Sequence, residues 1–141
     1  MKRNASAVWK GDLKQGKGAV STASGVLSNT QYSFATRFEN GVGTNPEELL
    51  AAAHAGCFAM ALSAQLGEAG LTAERIDVTA TISLEKTASG FAITESHLEL
   101  KAKIPGAAQA AFDTAAGNAK AGCPVSKLFN TQITLNAVLE A

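Results

Sequence analysis

Cys57 and Cys123 are the only two cysteines of the chain, and their surroundings differ in ways that matter to thiol chemistry. Cys123 stands between Gly122 and Pro124 in AGCPVSK. Pro124 suits the first position of a short helix, PVSKLF, with Cys123 as its N-cap. A helix N-terminus lowers a thiol's pKa, so Cys123 is expected at an exposed, helix-initiating site. Cys57 lies in LLAAAHAGCFAMALSAQL, mid-helix among apolar residues. Loss of solvation there raises a thiol above its ordinary pKa of about 8.5 and makes it less reactive. If Cys57 is to react, a cation must be brought to it. His54, one turn earlier on roughly the same face, is a candidate proton acceptor. Arg37, in the loop-like FATRFENGVG, is a candidate cation. Each residue also has a plain structural reading. Free cysteines are among the most buried residue types, a helix histidine often bonds a nearby backbone or hydroxyl group, and a lone loop arginine is usually solvated.

Two Cys and two His match the ligand count of tetrahedral zinc. The spacing does not follow: there is no C-x-x-C pair, and His97 falls within an expected strand. No metal and no cofactor are expected. GVGTNP fits neither the phosphate-binding loop nor the dinucleotide fingerprint, and no Ser-His-Asp arrangement stands out.

The element that must hold Cys57 is a long helix. Asn45 can cap it, Pro46 suits its first position, and Glu47 and Glu48 place negative charge in its first turn, where the helix dipole favours it. Gly67 and Gly70 mark its end. From Pro46 to Ala69 it would run ~36 Å at 1.5 Å per residue. Leu49 to Leu66 carries no charge and is long enough to raise the question of a membrane span. Ala dominates it, and His54, Ser63 and Gln65 interrupt it, so a buried soluble helix is expected. A globule of this size is only about 37 Å across. The helix would cross it with no face suited to water, which points to a second copy of the chain and a homodimer.

Downstream, Ile76, Val78, Ile82 and Leu84 alternate with polar residues, as a half-buried strand requires. KTASG at 86–90 supplies a turn, and Phe91 to Ile104 alternates again, predicting an antiparallel hairpin. AAQAAFDTAAGNAKAG predicts a second helix after Pro105 and Gly106, and Ile133 to Leu139 a last strand. Val8, Trp9, Val20 and Val26, set among Gly and Ser, suggest further short strands in the N-terminal third. The expectation is one α+β domain over residues 1–141.

At 141 residues, 46% hydrophobic and 17% charged, the chain has the composition of a globular domain. Twelve basic residues balance twelve acidic ones with no block of like charge, which favours neither nucleic acid nor an anionic membrane. Lys2 and Arg3 have no apolar run behind them, so no secretory signal and a cytoplasmic location are expected. In the cytosol a reactive dithiol is more usual than a structural disulfide.

FATRFENGVGTNPEELLAAAHAGCFAMALS together with AGCPVSKLF resembles the OsmC/Ohr family of organic hydroperoxide reductases, the OsmC (osmotically inducible protein C) branch in particular. The TNPEEL helix start, the AHAGCF helix centre, the GFAIT strand at 90–94 and the distal AGCPVS carry the resemblance, which spans Tyr32 to Leu135. It implies an OsmC-like fold, with a long central helix packed on antiparallel sheet in an intertwined homodimer. It also implies a cysteine-based peroxidase in which Cys57 is the peroxidatic residue and Cys123 resolves the oxidised form. The family's arginine matches Arg37 and its glutamate Glu47. The expected substrate is an organic hydroperoxide and the expected reductant a dithiol, of the lipoyl type by analogy with the Ohr branch.

On that reading, Arg37 raises the small thiolate fraction of Cys57, about 3% for an ordinary thiol at pH 7, and Glu47 orients Arg37. Glu47 and Cys57 are separated by ~15 Å along a continuous helix, so an extended arginine, a bend or the second subunit must link them. Arg37 and Cys57 are then expected to lie close together. Phe58, Met60, Leu49 and Leu50 are expected to form an oily approach. The competing reading is a non-catalytic binding module for a small hydrophobic ligand, and a third is a stress-protection dimer without chemistry.

Overall fold

The computed structural model describes residues 1–140. The chain divides into two compact units, Met1–Leu49 and a second that begins at Leu50.

In the first unit β1 (Ala5–Lys10), β2 (Lys17–Thr22) and β3 (Thr30–Tyr32) form an antiparallel meander in the order β1-β2-β3. Val26 is not in a strand; it lies in the bend between β2 and β3 and is largely exposed. Gly18, the second residue of the central strand β2, lies opposite Trp9 on one side and Tyr32 on the other. Its missing side chain leaves room for both rings, for a Cβ there would fall 2.4 Å from Tyr32 Cε1 and 2.7 Å from Trp9 Cε3. FATRF, expected to be loop, is the short helix α1 (Phe34–Phe38). A capping box starts it: the Thr36 N–H donates to Ser33 Oγ at 3.2 Å, and the Ser33 N–H to Thr36 Oγ1 at 2.8 Å.

The long helix α2 spans Pro46–Glu68. Asn45 caps it as expected, its Oδ1 accepting the Glu48 N–H at 2.8 Å. At the other end the Leu71 N–H bonds the Leu66 carbonyl at 2.8 Å and the Gly70 N–H the Gly67 carbonyl at 3.0 Å. These two bonds make a Schellman motif, closed by Gly70 at a φ of +72°. By length and hydropathy alone α2 is apolar enough to cross a membrane. Within the second unit, however, it is a core helix. His54, Phe58, Leu62 and Leu66 recur every four residues and are fully buried.

That stripe meets Leu98, Leu100 and Ala102 of one strand and Phe112, Ala115, Ala116 and Ala119 of another helix. The strand is β5 (Gly90–Lys103), the antiparallel partner of β4 (Arg75–Thr87) in the expected hairpin, with a bulge at Ser83/Leu84. The helix is α3 (Gln109–Gly122), followed at once by α4 (Pro124–Leu128). The last strand, β6 (Gln132–Glu140), lies parallel to β5, from Glu95 opposite Gln132 to Lys103 opposite Glu140. The α3–α4 crossover is the connection that a parallel pair needs. A helix-and-sheet chain results, mainly antiparallel with one parallel pair, and the core of the second unit lies between α2, α3 and β5.

Candidate active site

Cys57 and Cys123 come together. Their sulfurs are 2.8 Å apart, with the Cys123 thiol donating, and both are free. α2 delivers Cys57, one residue before the buried Phe58. Cys123 sits at the junction of two helices, where its N–H bonds the Ala119 carbonyl at 2.9 Å and its carbonyl accepts the Lys127 N–H at 3.0 Å. It is therefore the last turn of α3 and the N-cap of α4 at once.

Accessibility is the reverse of the expectation. Cys123 is fully buried and Cys57 only half-buried. The core faces of α3 and α4, through Ala119 and Val125, draw their junction inward. The short helix also serves the other sulfur, because the backbone N–H of Val125 bonds Cys57, which the sequence reading left unassisted. Burial pushes the Cys57 thiol up, the adjacent Cys123 adds to the rise, and the Val125 N–H acts in the opposite direction.

His54 is not a proton acceptor for Cys57. Its Nδ1 bonds Ser96 Oγ at 2.6 Å and its Nε2 bonds Ser126 Oγ at 2.8 Å, so both ring nitrogens are engaged. His54 and Ser96 are fully buried and Ser126 nearly so, and the Phe129 ring stands edge-on to the imidazole at 5.1 Å. Burial lowers the His54 pKa, which keeps the ring neutral, with one serine donating to it and the other accepting from it.

Arg37 and Glu47 form the second predicted pair. At the end of α1, Arg37 sets its guanidinium against the Glu47 carboxylate, Nη2 to Oε1 at 2.8 Å and Nε to Oε1 at 3.0 Å. Its side chain is 39% exposed and that of Glu47 only 11%, so the arginine is held rather than turned into bulk solvent. The guanidinium carbon also lies 5.4 Å from the centre of the Phe38 ring. Beside it a cavity of about 260 Å³ is lined by Trp9, Leu13, Tyr32, Phe34, Arg37 and Phe38. The Trp9 and Tyr32 ring centres are 5.5 Å apart and those of Phe34 and Phe38 4.9 Å. The sequence reading missed this aromatic lining. Phe58, expected on an oily approach, is fully buried in the core, where the α2 stripe requires it, while Met60 is 77% exposed. Among the described residues no group of three His, Cys, Asp or Glu side chains is placed to hold a metal.

A half-buried thiol touching a fully buried one, on an α+β frame, defines a dithiol protein. Residues 38–138 match the family of OsmC-like proteins. The chain is 52% identical to peroxiredoxin OsmC of Escherichia coli over 99% of its own length and 97% of that protein. It is 30% identical to an organic hydroperoxide resistance protein of Xanthomonas axonopodis over 70% of its length and 68% of that protein. In three dimensions it resembles an OsmC-like protein of Vibrio cholerae, with a TM-score of 0.78 over 98% of this chain and 99% of that one at 15% identity. The chain belongs to the OsmC family.

Proposed function

We propose that this OsmC-family peroxidase reduces organic hydroperoxides to alcohols through Cys57, which Cys123 resolves. One observation carries the reading: two free thiols from distant parts of the chain lie 2.8 Å apart, the outer one accessible and the inner one enclosed. The thiolate of Cys57 attacks the terminal peroxide oxygen and expels an alkoxide, which takes up a proton to leave as the alcohol. Cys57 is then a sulfenic acid. The thiolate of Cys123 attacks its sulfur, forming the disulfide and releasing hydroxide, which leaves as water with a proton. A dithiol, of the lipoyl type, reduces that disulfide by two successive exchanges.

Arg37 offsets negative charge on the Cys57 thiolate and on the departing oxygen, and Glu47 fixes its orientation through the paired hydrogen bonds. The aromatic cavity beside Arg37 supports an organic substituent on the peroxide, since it offers apolar surface that hydrogen peroxide cannot use. The enzyme works as a cytoplasmic homodimer.

Reduced protein mixed with one equivalent of cumene hydroperoxide tests this by intact mass. Wild type is expected to lose both thiols and ~2 Da, while Cys123→Ser traps a Cys57 species heavier by ~16 Da. Cys57→Ser is expected to abolish turnover. Two unreacted thiols in wild type, or full turnover without Cys57, would sink the proposal in favour of a binding module.

A further inference from the structure

His54 and Ser126 lie one helical turn from the two cysteines, and in register with them. On α2 His54 precedes Cys57 by three residues, and on α4 Ser126 follows Cys123 by three. His54 Nε2 meets Ser126 Oγ at 2.8 Å, and Cys57 Sγ meets Cys123 Sγ at 2.8 Å. The two contacts are successive rungs between the same two helices, one chemically fixed and the other reactive. We infer that the buried Ser96–His54–Ser126 chain is the positioning device of the resolving step: it clamps α4 to α2 so that Cys123 stands at attacking distance from Cys57 throughout the cycle. The inference rests on the dithiol reading above.

α4 needs such a clamp. Five residues are too few to be stable as a helix on their own, and no side chain caps its N-terminus. Beyond the bonds inside this single short helix, its ends are held by the Lys127 N–H to Cys123 carbonyl and Phe129 N–H to Val125 carbonyl bonds, at 3.0 and 3.1 Å. Its apolar attachment to the core is Val125. Burying three polar side chains costs free energy unless each is bonded, and here each is. A buried network whose bonds are all made fixes one arrangement of the elements it joins. Ser96 anchors the other end of the chain in β5, so the imidazole is held from both sides.

The chemical consequence concerns the sulfenic acid. Closure of the disulfide competes with a second peroxide, which would carry Cys57 to sulfinic acid. Held thiols close fast, and a misplacement of only ~1 Å can slow a reaction by roughly 100-fold. Loosening α4 should therefore lengthen the life of the sulfenic acid and expose Cys57 to overoxidation.

The test separates the two ring nitrogens. The amide of His54→Gln reaches the position of Nε2 and keeps the Ser126 bond, whereas that of His54→Asn reaches only Nδ1 and Ser96. Closure is read in two ways, by quenched mass spectrometry after cumene hydroperoxide and by release of thionitrobenzoate from 5,5′-dithiobis(2-nitrobenzoate). In the second assay Cys57 displaces one thionitrobenzoate and Cys123, closing the disulfide, displaces the other. His54→Asn and Ser126→Ala are expected to slow closure by ~10-fold or more and to accumulate sulfinic acid, with His54→Gln close to wild type. Wild-type closure rates in both impaired variants would overturn the inference. So would equal loss in His54→Gln and His54→Asn, since that marks a merely structural role. Wild type that closes with the aryl disulfide yet ignores cumene hydroperoxide would refute the peroxidase reading, and the aryl disulfide rates would still judge the clamp.

Discussion

A buried neutral histidine links folding to pH. The folded-state pKa of His54 lies below the ordinary ~6.5 because burial disfavours the charged ring. Above the unfolded pKa neither state holds the proton and the bonds to Ser96 and Ser126 contribute fully. As pH falls through about 6.5 the unfolded chain takes up a proton that the folded one refuses, so stability declines until the folded pKa is reached. The loss is at most about 1.4 kcal/mol per pH unit in that window. Urea midpoints at pH 7.5 and pH 5 should therefore fall further for wild type than for His54→Gln, which has nothing to protonate there. Equal declines would mean that the ring is already charged or solvated in the folded state. At this scale the sequence singled out side chains whose surroundings it partly misread. Helical spacing put His54 near Cys57, but the serines that engage it come from β5 and α4, and no local pattern points to them. Cys123 was expected to be exposed because Gly122 and Pro124 place it at the start of a helix. The α3–α4 junction that buries it is a tertiary fact.

Among the elements, α2 and the β4–β5 hairpin were legible because local chemistry and the global fold agree in them. Asn45, Pro46, Glu47 and Glu48 start the helix and Gly70 closes it, while strict alternation marks both strands. α1 was not legible, since its Ser33–Thr36 capping box is followed by ENGVG, which outweighs five residues of helix. The aromatic cavity was hidden for another reason: Trp9 and Tyr32 are distant in sequence, and only the register of β1 and β3 on Gly18 makes them neighbours. That position gives an element-scale prediction. Gly18→Ala places a methyl where the two rings pack, and overpacking of this kind costs ~1–3 kcal/mol. The melting temperature should fall. If the cavity holds the organic group, KM for cumene hydroperoxide should rise several-fold while hydrogen peroxide turnover changes little. An unchanged KM beside a lowered melting temperature would remove the cavity from the substrate's path.

The whole molecule is decided by the other side of α2. Opposite the buried stripe, Ala53, Gly56, Met60 and Ser63 are exposed, and a Cβ built on Gly56 meets nothing within 4 Å. A helix that is apolar all round is at home only when both sides are covered. Spacings of three and four residues line these side chains up along one ridge, and their small size lets a second helix come close. In the homodimer proposed above, a second copy of the chain would supply such a helix by symmetry, the ridge packing on itself about a two-fold axis. Light scattering on the eluted protein should then give about twice 14.4 kDa at micromolar concentration. Met60→Glu would bury two carboxylates at that axis unpaired, at a cost of several kcal/mol, and should shift the protein to the monomer mass. The substituted residue is 77% exposed in the single chain, so the core formed by Phe58, Leu62 and Leu66 should survive, and the far-ultraviolet dichroism should be retained. A wild-type monomer, or a Met60→Glu protein that stays dimeric, would rule out pairing through this face.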